Sequence, residues 1–154
     1  MVWKCENEMS KTVEKRSVVE ATGVDDPVSL NIAVIYNSVE LTLSALRKAG
    51  ALAHSLHARI TLIVPEIVPY PLPLGSPPVG REFKERAFRI LADEGPVETS
   101  VRICLCRDRL EMLRTALEPH SLIVMGGKER WWPTKEDRLA DQLRRLGHQV
   151  VLVH

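Results

Sequence analysis

The sequence predicts an α/β protein in which a parallel sheet lies between two layers of helices. Three observations carry that expectation. Short, continuous apolar runs recur at residues 32–36, 60–64, 122–125 and 150–153, as strands covered on both faces do. Between runs, apolar residues return at helical spacing. The two kinds of element alternate along the chain, which calls for right-handed crossovers and helices on both faces of one sheet.

Residues 1–29 show little periodicity and read as an N-terminal extension, with some helix over residues 6–16 and Trp3 either docked on the body or free. The first strand is followed by Asn37 and Ser38, both good helix N-caps, with Glu40 three residues after Asn37 as in a capping box. Leu43, Leu46, Ala53 and Leu56 then mark a helix over roughly residues 39–57. After the second strand, residues 65–80 hold six prolines and read as a long extended loop. Phe83, Ala87, Ile90 and Leu91 form the stripe of the next helix, stopped before Gly95 and Pro96. Val97, Thr99, Val101, Ile103 and Leu105 alternate with Glu98, Ser100, Arg102, Cys104 and Cys106, so this strand is expected to have one polar face and to lie at a sheet edge. Leu110, Leu113 and Leu117 give a short helix ending at Pro119. Thr134 begins the last helix, with Leu139, Leu143 and Leu146 as its stripe and Gly147 as its stop.

The chain of 154 residues is long enough for one domain, expected over residues 30–154. Charged residues make up 27% and nearly cancel, to a net +1, which argues against nucleic acid or a strongly anionic membrane as partner. Charges crowd the first twenty residues, so no secretory leader is expected there. Three cysteines fit a reducing compartment, and the cytoplasm is the expected location.

Several segments resemble the universal stress protein family. The first strand with Asn37, Ser38 and Glu40, and the helix segment from Ser44 to Ala49, are similar to that family's opening. Residues 121–126 resemble its fourth strand almost letter for letter, residues 149–153 resemble its last, and the proline-rich loop also fits. The resemblance covers about residues 30–154. It implies a Rossmann-like, flavodoxin-like three-layer fold, with five parallel strands in the order 3-2-1-4-5 and four helices, and often a homodimer. Many members bind ATP through a loop of the form G-x-x-G-x9-G-(S/T), where glycines let backbone amides approach phosphates and a hydroxyl caps the next helix.

Gly126 matches the first glycine of that loop, but Glu129 stands at the second. The closing pair falls on Leu139 and Ala140 at strict spacing, or on Asp137 and Arg138 if the helix stripes are matched, and neither pair supplies glycine plus hydroxyl. A carboxylate about 5 Å from a phosphate costs roughly 3 kcal/mol at an effective dielectric near 20. Asn37 stands where the family usually has Asp, and Arg107 with Asp108 replaces its usual Gly-Asp. The expectation is a regulatory or interaction protein of stress response without ATP or another cofactor; the alternative is a nucleotide-binding member with a rearranged loop. Asn37, Ser38, Gly126, Gly127 and Lys128 are the residues of the degenerate nucleotide crevice. Glu129, Trp131 and Trp132 are expected to block it or to meet an unknown protein partner, and filling the crevice is the favoured role of the two indoles.

Val150, Val151, Leu152 and Val153 are apolar on both faces and, in this topology, form an unblunted edge, so a homodimer is expected across them. His54 and His57 stand three apart but lack further ligands, so no metal is expected. Cys104 and Cys106 share a strand face and suit neither a disulfide nor a zinc site. No nucleophile–base arrangement is evident, and no enzyme activity is expected.

Overall fold

A computed structural model describes residues 30–74 and 80–154, together with the backbone pairing of Lys4–Cys5. Its elements are β1 (Lys4–Cys5), β2 (Asn31–Ile35), α1 (Val39–Leu56), β3 (Arg59–Ile67), α2 (Arg81–Asp93), β4 (Thr99–Cys106), α3 (Arg109–Ala116), β5 (Leu122–Gly126), α4 (Lys135–Arg145) and β6 (Gln149–Val153). The sheet order is β1-β4-β3-β2-β5-β6. Its five parallel strands therefore run 3-2-1-4-5 in chain order, a Rossmann-like, doubly wound arrangement. The expected fold class is the observed one. The two-residue β1 adds an antiparallel partner to the outer side of β4. Trp3 and the helix expected over residues 6–16 lie outside the described residues.

Side chains alternate across the strands and build two cores. On one face Ile32, Val34, Ile60, Leu62 and Val124 meet Leu46 and Ala49 of α1 and Leu91 of α2. On the other, Ile35, Ile63, Ile123 and Met125 meet Met112 and Leu113 of α3 and Leu139 and Leu143 of α4. The central pair β2 and β5 is buried on both faces, which is why its sequence is continuously apolar.

Three local expectations are corrected. First, β3 continues through Pro65 to Ile67, where a loop was expected. Its neighbour β2 ends at Ile35, opposite Ile63, so beyond that point only β4 pairs with β3. A proline is tolerated where one side of a strand lacks a partner. Second, α2 turns Phe83 and Ile90 to solvent and buries Leu91 and Ala92, with Phe88 edge-on to Tyr36 at 4.8 Å. Third, the supposed polar face of β4 is covered at its C-terminal end. Cys104 and Cys106 are 1% and 0% exposed, packed in the α3 core as small apolar groups.

The β6 edge has a definite parity. Gln149 donates to Ser121 O at 3.0 Å, and Gly127 N–H donates to Val153 O at 2.7 Å. Odd-numbered residues of β6 thus face β5, leaving the peptide groups of Val150 and Leu152 outward. Arg144 Nη2 donates to Val150 O at 3.1 Å, so a side chain already covers one outward acceptor.

Where α1 crosses β5 the approach is close. A Cβ on Gly126 would lie inside contact distance of the Leu41 carbonyl oxygen and 2.6 Å from Leu41 Cβ, so only glycine fits. Gly126→Ala is expected to lower stability by about 2–3 kcal/mol in urea unfolding. Gly80→Ala, which meets nothing within 4 Å, is the control and is expected to change it little. Equal midpoints for the two variants would contradict the close contact.

Candidate functional site

The strands of a doubly wound sheet leave a crevice at their C-terminal ends where the strand order reverses. Here that point lies between β2 and β5, at Asn37 and Gly126. The Asn37 side chain spans it. Its Nδ2 donates to Gly126 O at 2.6 Å, and its Oδ1 accepts from Ser38 N–H at 2.9 Å. Thr42, fully buried in the first turns of α1, places its hydroxyl 3.4 Å from the same Oδ1. Asn37 therefore does not cap α1 through Glu40. Ser38 occupies the N-cap position without a side-chain bond.

The bend after β5 is engaged with the fold. Gly127 N–H is taken by Val153 O, and Gly127 is buried against Leu152. Lys128, Glu129 and Arg130 are exposed beyond it. The start of α4 is closed by its own side chains. Thr134 Oγ1 accepts from Asp137 N–H at 3.2 Å, while Asp137 Oδ2 accepts from Thr134 N–H at 2.6 Å. This capping box sets a carboxylate on the positive end of the helix dipole, the position a bound anion would take. These bonds with Thr134, the backbone one foremost, hold the Asp137 carboxyl below its ordinary pKa.

Arg109 was not singled out in the sequence. It begins α3 and sends Nη2 to Tyr36 O at 2.8 Å, across the end of β2. Its Nε is buried with no hydrogen-bond partner. Burial lowers its pKa, and the nearby Glu136 and Cys106 oppose that shift. No spacing rule marks such a residue, because its partner is a backbone carbonyl 73 positions away. Arg107, by contrast, is tied into the β3–α2 loop. It donates to Val68 O at 2.6 Å and lies 4.1 Å over the Tyr70 ring.

The two tryptophans do not fill the crevice. Trp131 is 92% exposed and Trp132 is 76% exposed, which corrects the favoured role given them above. The bend that carries them leaves the sheet before it can fold back, because Gly126 and Gly127 are held by β2, α1 and β6. Beside Trp132 an open basin of about 440 Å³ is lined by Lys128, Arg130, Lys135 and Arg138, with Glu136 as its one acid. His57 is the left-handed residue that closes α1, and His54 is exposed one turn earlier. Among the described residues no three His, Cys, Asp or Glu side chains gather as a metal would need.

No family model matches the chain, and no curated protein does. Among solved structures it is similar to a universal stress protein in complex with cAMP, at 16% identity, covering 81% of this chain and 96% of that one, with a TM-score of 0.47. The three-layer architecture rests on this chain's own strand order and crossovers. No helix among the described residues is long and apolar enough to cross a membrane.

The capping box yields a prediction. Thr134→Ala is expected to cost about 1 kcal/mol of stability. Because the folded pKa of Asp137 is depressed, its contribution is present above about pH 4 and is lost as pH falls through the folded value. In Asp137→Asn the urea midpoint is expected to fall less steeply with acid than in the parent. Parallel acid limbs would contradict the assignment.

Proposed function

We propose that this chain is a non-enzymatic regulatory or interaction protein of the universal stress protein type, acting in the cytoplasm in a stress response and holding no ATP at the β5–α4 bend. One observation carries the reading: the groups a triphosphate would need are bonded within the fold. The Gly127 amide serves the β5–β6 ladder, and Asp137 takes up the N-terminus of α4, where it accepts from Thr134 N–H. Opening the site would break these bonds, and a buried peptide group left without a partner costs about 1–3 kcal/mol. Asn37, Ser38, Gly126 and Gly127 are then structural residues of a closed switch point. Lys128, Glu129, Trp131 and Trp132 are its surface and the place for a partner.

The second reading is a nucleotide site built outside the crevice, favoured by the four cations of the basin. A thermal melt with and without millimolar ATP–Mg²⁺ separates the two. A ligand that binds only the folded state, at a hundred times its dissociation constant, stabilises by about 2.7 kcal/mol, which is several degrees for a chain of this size. No shift is expected. A shift removed by Lys128→Glu with Arg130→Glu would establish the second reading in place of the first.

The chain is further proposed to form a homodimer across β6, at its Leu152 end. The peptide groups of Leu152 face away from β5 and open on solvent, whereas Arg144 covers the carbonyl of Val150. Light scattering at micromolar concentration is expected to give about twice the 17.3 kDa of one chain. A mass of one chain would remove the proposal.

A further inference from the structure

We propose that the end of the molecule at the C-termini of the parallel strands docks on an anionic lipid bilayer, with Trp131 and Trp132 seated among the headgroups. Eleven large apolar side chains are exposed among the described residues, and seven stand at this end. Topology puts them there. The loops leaving β2, β3 and β5, and the first turn of α2, all open on the same side of a parallel sheet. The four exposed aromatics among the described residues belong to this group: Tyr70 at 76%, Phe83 at 71%, Trp131 at 92% and Trp132 at 76%. Val39, Ile67 and Leu72 complete it.

Charge accompanies these rings. Lys128, Arg130, Lys135 and Arg138 are exposed around the indoles, and they line a basin of about 440 Å³ that would receive a lipid phosphate. The overall charge of +1 conceals this grouping, because a whole-chain sum averages over ends that differ. Tryptophan and tyrosine favour the membrane–water interface, where a ring can be apolar on its body and wet at its tip. Lysine and arginine near an anionic leaflet add electrostatic attraction that salt weakens.

The shape favours a bilayer over other occupants. Side chains that project this far require a matching pocket in a protein partner, whereas a fluid interface moulds itself around them. Single-stranded nucleic acid is bound by rings spaced for successive bases along a basic track. Here two consecutive rings stand on one bend, and the cations fall within eleven residues. Attachment is peripheral, since no described helix can span a bilayer. The inference does not depend on whether the crevice holds ATP.

The test uses the full chain carrying Trp3→Phe, so that only the two indoles of the bend report. Phosphatidylcholine vesicles with phosphatidylserine are expected to cosediment with the protein and shift its tryptophan emission to the blue, with weaker binding in high salt or without phosphatidylserine. Lys128→Glu with Arg130→Glu is expected to weaken partitioning at least tenfold. In the otherwise unchanged chain, Trp131→Ser with Trp132→Ser is expected to do the same by cosedimentation, with circular dichroism and melting temperature preserved. No partition to phosphatidylserine vesicles would overturn the proposal. So would partition unchanged in the serine variant, or an emission shift with single-stranded oligonucleotide and none with vesicles.

Discussion

The hydrogen bond from Asn37 to the Gly126 carbonyl, made beneath the first turn of α1, is the constraint from which the rest of this end of the molecule follows. It joins the two central strands at the point where their connections diverge. It requires a glycine on β5, because the Leu41 backbone occupies the space of a side chain. It also fixes the course of the chain beyond. With Gly126 held by β2 and Gly127 by β6, the bend runs outward and carries Trp131 and Trp132 into solvent.

The bonds across the switch point and the exposed tryptophans belong to the same bend. In an open α/β fold, flexible glycines beyond the strand leave free amides for an anion. Here the same backbone groups complete the sheet, and a carboxylate occupies the helix terminus. At the same end the two indoles stand exposed, and four cations line an open basin beside them. A half-buried arginine, Arg109, lies across the end of β2 and donates to Tyr36 O.

Much of the architecture was legible because it follows from two periodicities. The doubly buried runs of β2 and β5, and the stripes of α1 and α4, leave little freedom in assigning strands and helices. The Thr134 cap was legible for the same reason, being local chemistry three residues long. The failures share a different cause. Cys104 and Cys106 were read as polar, yet a thiol behaves as a small apolar group once a helix covers it. In α2, Phe83 and Ile90 are exposed while Leu91 is buried, and composition alone does not say which side the sheet will claim. The β3 strand ran past Pro65 because a neighbour had ended, a fact about another segment. The acids Glu129 and Asp137 at the bend were legible, but the bonding across the switch point was not. It links residues 89 positions apart, as Asn37 and Gly126 are.

The most direct measurement is residue by residue at the bend itself. Amide signals of the ¹⁵N-labelled protein, followed during titration with ATP–Mg²⁺, report on Gly126, Gly127 and Thr134 separately. If their donors are held inside the fold, the Gly127 and Thr134 amides exchange slowly with solvent and keep their positions throughout the titration. Saturable movement of the Gly127 and Thr134 signals, with faster exchange at Gly127, would mean that the bend opens to take a triphosphate and that the central claim is wrong.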